Sequence, residues 1–119
     1  MRRLLGADSE SGALVVGDEV LQGSRVAIAV SEAVEARRRF ARELERFASG
    51  GPVTGALYFD SVERGEALYG IADLDSAYLR QTLDGVEFAG FFSGVEIAPL
   101  GGRNRFHQAS GVLVGFYEG

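Results

Sequence analysis

The residues best equipped for chemistry fall in one stretch, Gly90 to His107, which reads GFFSGVEIAPLGGRNRFH. It brings together the only histidine, His107, the ionic side chains Glu96, Arg103 and Arg105, the amide Asn104 and the pair Phe91-Phe92. Gly101-Gly102 and Pro99 restrain the backbone around them, and a restrained loop on a packed scaffold can aim polar groups at a ligand. Arg103 offers a planar fork that matches a carboxylate, and Gly101-Gly102 can turn amide groups toward an anion. Asn104 supplies a donor and an acceptor, Glu96 can accept from an ammonium group, and Phe92 or Phe91 can wall the pocket. The same residues also admit a purely structural reading. Arg103 can pair with Glu96, Asn104 can bond its own backbone, and either phenylalanine can belong to the core.

His107 has three readings. No second His or Cys accompanies it and no carboxylate spacing suggests a metal site, so zinc finds too few ligands. One histidine is sufficient as an axial haem ligand. Otherwise it is a loop histidine bonding a backbone carbonyl. Ser93, Glu96 and His107 include the residue types of a hydrolytic triad, but no nucleophile-elbow motif surrounds Ser93, and the expectation is a protein that is not an enzyme.

Composition narrows the chemistry further. The chain has no cysteine, and its 12 basic residues are all arginine. Thiolate nucleophiles, disulfides, sulfur-ligated metals and lysine Schiff bases are therefore unavailable, and stability must come from packing. A net charge of -5 opposes binding to nucleic acid or anionic lipid. The one arginine cluster, Arg37, Arg38, Arg39, Arg42 and Arg46, is interleaved with Glu35, Glu43 and Glu45 at spacings that favour salt links on a solvated helix face. No apolar run approaches the length of a membrane span. Behind Met1-Arg2-Arg3 only Leu4-Leu5 is apolar before Asp8, too short for a signal peptide, so the expected compartment is the cytoplasm.

The 119 residues suit one domain. Leu4 to Ala7 and Ala13 to Val16 read as short strands. Arg25 to Val30 reads as a third, because Val26, Ile28 and Val30 recur at period two. Ser31 can cap a helix whose apolar stripe runs through Ala33, Ala36, Phe40, Leu44 and Phe47 to Ala48, with Gly50-Gly51-Pro52 as its stop. Val53 to Phe59 is apolar enough for a central strand covered on both faces. Asp73 or Asp75 can cap a short helix through Leu83, ended by Gly85. Val86 to Phe92, Val95 to Ile97 and Ala109 to Tyr117 complete the strands, with small residues in the last admitting close backbone approach. The expected class is α+β: a mostly antiparallel sheet with two helices in the order β-β-β-α-β-α-β-β-β, with room for one right-handed β-α-β crossover joining Arg25 to Val30 to the central strand.

The strings GALYFDSVERGEALYG, ADLDS and VEFAGFFSGVEIAPLGGRNRFH, with GALVVGDEVLQGSRVAIAV before them, resemble the C-terminal half of the FIST domain. This is a family of bacterial sensory modules named for F-box and intracellular signal transduction. The resemblance covers nearly the whole chain. After the central strand the family usually carries Ser-Cys-x-Gly-Arg-Gly, whereas this chain has Asp60-Ser61-Val62-Glu63-Arg64-Gly65, which keeps Arg-Gly and lacks the thiol. The resemblance implies a non-catalytic sensory domain, with an amino-acid-like compound as the ligand; read from the residues themselves, its expected contacts are Phe92, Glu96, Arg103, Asn104 and His107, and no resident cofactor is expected. The resemblance implies residues 1–119 as a single domain lacking the N-terminal half of the full module. It also implies partnership with that half or with a signalling output domain. Two alternatives stay open: an interaction half that forms a homodimer without a ligand of its own, and a haem-based gas sensor using His107.

Overall fold

The structure, a computed structural model, describes residues 4–30 and 32–118. The chain divides into two compact units, residues 1–30 and residues 31–119. In the first, β1 (Leu4–Ala7) and β2 (Leu14–Val16) stand where short strands were expected and pair as an antiparallel hairpin. Its loop is pinned by Asp8, whose carboxylate accepts from the Glu10 amide and from the Ser11 hydroxyl. Residues 25–30 form no strand, which corrects the reading of their period-two pattern. Val26, Ile28 and Val30 are all exposed, Ile28 at 77%. Alternating β-branched residues favour a pleated surface only where a neighbouring strand supplies the ladder, and among the described residues none does so here.

The second unit is built on β3 (Val53–Ser61), the centre of a three-stranded sheet with β4 (Phe88–Ser93) parallel on one side and β7 (Gly111–Tyr117) antiparallel on the other. Two helices, α2 (Gly65–Tyr69) and α3 (Leu74–Thr82), connect β3 to β4, so the β-α-β unit lies here and not before β3. A separate antiparallel hairpin, β5 (Glu96–Leu100) and β6 (Arg103–His107), follows β4. The class is α+β with mostly antiparallel pairing.

Helix α1 (Ala33–Ala48) follows the periodicity read in the sequence, since Ala33, Ala36, Phe40, Leu44, Phe47 and Ala48 are all turned from solvent, joined by Arg37 and Ala41 at the edges of the stripe. Ser31, the expected cap, lies outside the described residues; Glu32 occupies the cap position without a side-chain cap bond. On the opposite face Arg42 pairs with Glu35 and Arg46 with Glu43, each at 3.2 Å, as expected of a solvated face.

Leu44 of α1, Leu79 and Leu83 at α3, and Ala56 and Tyr58 of β3 form the core, flanked by Phe40, Phe47, Tyr78, Phe88 and Leu113. Three glycines allow the strands to approach. An added Cβ would overlap the Tyr58 backbone carbonyl at Gly90, the Tyr58 ring at Gly111 and the Phe47 ring at Gly115. Within residues 31–119 the helices cover one face of the sheet, and the other carries half-buried and exposed side chains, which corrects the expectation of a strand buried on both sides. On the other face Phe59 meets Phe91 edge to face at 5.1 Å, and Phe91, Val114 and Phe116 stay exposed.

Candidate ligand-binding site

Gly90 to His107 is the end of a strand followed by a tight hairpin, not the loop its glycines suggested. Gly101 and Gly102 both have positive φ, 61° and 77°, and lie between the paired residues Leu100 and Arg103. That is what a two-residue type I′ turn requires, and the pair serves the turn. The register fixes which side chains share a face. Glu96 faces His107, Ala98 faces Arg105 and Leu100 faces Arg103 on one side, while Ile97 with Phe106 and Pro99 with Asn104 lie on the other.

Glu96 is 4% exposed. Both its carboxylate oxygens accept from serine hydroxyls, Ser93 at 2.9 Å and Ser110 at 3.0 Å. Among the described residues no basic side chain forms an ion pair with it. Both serines are fixed by the carboxyl end of β3, because the Ser61 amide donates to the Ser110 carbonyl and the Val62 amide to the Ser93 carbonyl, each at 3.0 Å. The site is therefore positioned where the parallel strands β3 and β4 end, the place at which open parallel sheets commonly bind ligands.

The five residues expected to act together are only partly assembled. His107 stands across from Glu96, with Nε2 3.2 Å from the Ala98 carbonyl oxygen. Phe92 leaves β4 toward the helical side, with its ring beside Gly65, while Phe91 takes the opposite face. Arg103 shares Glu96's face but sits four residues along the hairpin, about 13 Å away at strand rise. Asn104 is exposed on the other face. A pairing of Arg103 with Glu96 is not formed.

Sequence reasoning missed a second polar cluster beside this one. Asp60 and Asp75 are 4% and 3% exposed, and Arg64 lies between them. Its Nε is 3.0 Å from Asp60 Oδ1 and donates to Asp75 Oδ2 at 3.0 Å; its Nη2 donates to Asp75 Oδ2 at 2.8 Å and to the Tyr69 hydroxyl at 2.5 Å. The guanidinium carbon lies 5.4 Å from the centre of the Phe40 ring and 5.6 Å from that of Tyr69. Tyr58 donates to Asp75 at 3.0 Å. Burial, reinforced by Asp75, pushes Asp60 up to about 6, and burial raises the Tyr58 and Tyr69 hydroxyls above the usual phenol range. The Asp75 carboxylate is thus a core anchor for α3; Asp73, in a left-handed conformation with φ 58°, takes the cap position without a side-chain bond. Tyr58 and Asp60 at alternate positions on one strand, with an arginine four residues on, were the available signal.

The two clusters are linked through one residue. The Ser61 amide donates to Asp60 Oδ1 as well as to Ser110, so the backbone that holds the Glu96 serines also carries Asp60. Within the described residues there is no group of three or more metal-ligating side chains, and no helix is long and apolar enough to cross a membrane.

No solved structure gives a significant match to this chain. Among curated proteins it is 37% identical to the uncharacterized proteins Rv0628c and MT0656 of Mycobacterium tuberculosis. It is 36% identical to the uncharacterized protein Mb0898c of Mycobacterium bovis. Each match takes in 99% of this chain but 31% of the relative, so the chain spans about a third of the length of the proteins it resembles. Residues 1–99 match the FIST C domain, more than half of the sequence, and the chain belongs to the FIST C domain family of sensory domains of signal transduction.

Proposed function

We propose that this domain is a non-catalytic sensory module of the cytoplasm that binds a small polar, amino-acid-like ligand at the end of the sheet marked by Ser93, Glu96 and His107. The observation that carries the reading is Glu96, a carboxylate 4% exposed, held by two hydroxyl groups and lacking a cationic partner among the described residues. A buried carboxylate in that state gains by meeting an ammonium group, since neutral hydroxyl donors offset only part of its lost hydration. Arg105 and Arg103 lie on the same hairpin face, two and four residues from the Glu96 rung, about 7 and 13 Å along the strand. They suit the carboxylate of a ligand longer than the main-chain group of an α-amino acid. His107 closes the hairpin side of the site, while Phe92 turns to the helical face of β4 and Asn104 lies on the other face of the hairpin. Occupancy is relayed to the remaining part of a larger sensory protein or to an output domain.

Thermal unfolding in the presence of amino acids and small zwitterions tests the reading, because a ligand that binds only the native state raises the melting point by mass action. The wild type gains several degrees with at least one such compound, and Glu96→Gln, which still accepts from one serine, donates to the other and removes the charge, gains nothing. Equal gains in both proteins would refute the role of Glu96.

A second reading is an interaction half that self-associates, favoured by the uncovered sheet face, where Phe91 and Phe116 are 64% and 51% exposed. Sedimentation at high micromolar concentration separates the two. Haem sensing requires His107 to leave the Ala98 carbonyl, and a Soret shift that vanishes in His107→Ala is its signature.

A further inference from the structure

Asp60, Arg64 and Asp75 place two carboxylates and one guanidinium in a single buried volume. With both acids ionised the cluster carries a net negative charge, and one guanidinium can compensate only one of them. The hydrogen bonds reflect the shortage. Asp75 Oδ2 collects Tyr58 and both donors of Arg64, while Asp75 Oδ1 is buried with no partner. The Tyr58 hydroxyl donates to Asp75 and also faces Asp60. Around the acids, α1 supplies the uncharged Phe40 ring, α2 the Tyr69 hydroxyl, and the strand neighbours of Asp60 are Phe92 and Gly111. Among the described residues no second cation reaches the cluster.

We infer that this cluster is a proton-binding site: one proton from solvent is taken up at the Asp60 carboxyl, the acid that the single guanidinium leaves least compensated beside Asp75, and its occupancy sets how firmly α2 and α3 are held to the carboxyl end of β3. The ligand sensed is the hydrogen ion. The inference stands apart from the ligand role of Glu96, although Ser61 connects the two places. Asp60 is held at about 6 by burial first and by the Asp75 charge second, with Arg64 opposing both. A folded value above the unfolded one means that the folded state binds the extra proton. The stability it contributes is present at low pH and is lost as pH rises from about 4 through about 6. A difference of about two pH units corresponds to a change of up to about 100-fold in the folding constant, less where water relaxes the site.

The test is urea unfolding of the wild type and Asp60→Asn between pH 4.5 and 7.5. Asparagine keeps an acceptor for the Arg64 Nε and the Ser61 amide while removing the charge. The wild-type folding constant falls about 10- to 25-fold across the range relative to Asp60→Asn, and the variant is at least as stable as wild type at pH 7.5. Parallel pH profiles for the two proteins, or a variant clearly less stable at pH 7.5, would overturn the inference. Should Asp60→Asn fail to fold, titration of the Asp60 carboxyl carbon by NMR in the wild type decides: a midpoint near 6 supports the site, and one near 4 removes it. Amide exchange in α2 and α3, corrected for intrinsic rate, is faster at pH 7.5 than at pH 5; equal protection would remove the coupling to the helices.

Discussion

Replacing the buried Arg64 by methionine leaves two buried carboxylates without their cation. The guanidinium bridges Asp60 at 3.0 Å and Asp75 at 2.8 Å, also reaches Tyr69, and stacks over Phe40. Methionine fills a similar volume and keeps contact with Phe40, so lost packing contributes little, and the effect is electrostatic. Breaking a buried ion pair from one side costs about 3–5 kcal/mol, because the abandoned carboxylate stays out of water. Here two carboxylates are abandoned, which places the expectation at the upper end, less whatever is recovered by protonating them. At about 4–8 °C per kcal/mol for a unit of this size, the melting temperature falls by more than about 12 °C. The loss is largest above pH 7 and shrinks toward pH 5, where Asp60, already held at about 6, takes up a proton more readily. Arg64→Lys keeps the charge and loses the fork, and falls between wild type and methionine. Calorimetry at pH 5 and pH 7.5 on the three proteins is the assay. A methionine variant within about 0.5 kcal/mol of wild type, or one whose deficit grows on acidification, would refute the account of the cluster.

Other expectations follow from close contacts. Gly90→Ala drives a methyl group into the Tyr58 backbone carbonyl and lowers stability by about 2 kcal/mol or more in denaturant titration, whereas Gly94→Ala, with open space around it, changes it little. Gly102→Ala costs about 1 kcal/mol through its φ of 77° and weakens the β5–β6 hairpin, read as faster amide exchange at Arg103. Leu79→Ala, at a fully buried position, costs about 2–5 kcal/mol by the same titration. Arg103→Lys leaves the melting temperature of the free protein unchanged, since Arg103 is exposed and unpaired with Glu96, and reduces only a ligand-induced shift.

The sequence was most legible where local pattern and tertiary packing demand the same thing. The apolar stripe of α1 is such a case, as are the central strand β3 and the small positions of β7, where Gly111 and Gly115 meet Tyr58 and Phe47. Arg25 to Val30 shows the reverse, because strand-like alternation specifies a face but not a neighbour. Gly101-Gly102 was legible as a backbone signal and misassigned, since the same positive φ serves an anion nest or a type I′ turn and only the pairing of Leu100 with Arg103 decides. Of the candidate site, Glu96 and His107 meet as neighbours, while Arg103 lies up the hairpin and Asn104 across it. Asp60, Arg64 and Asp75 were hidden because burial of charge is a property of three elements converging. Asp75 read locally is a helix-capping residue, and nothing in its neighbours reveals that it faces Arg64.

The central claim is that a small polar ligand meets the chain at the carboxyl ends of β3 and β4. Amide chemical shifts recorded while a stabilising amino acid or small zwitterion is titrated in test it most directly. The account predicts saturable changes gathered at Ser61, Ser93, Glu96, His107 and Ser110 and extending up the hairpin toward Arg105. No saturable change with any such compound, or changes confined to Phe91, Val114 and Phe116 on the uncovered sheet face, would contradict it.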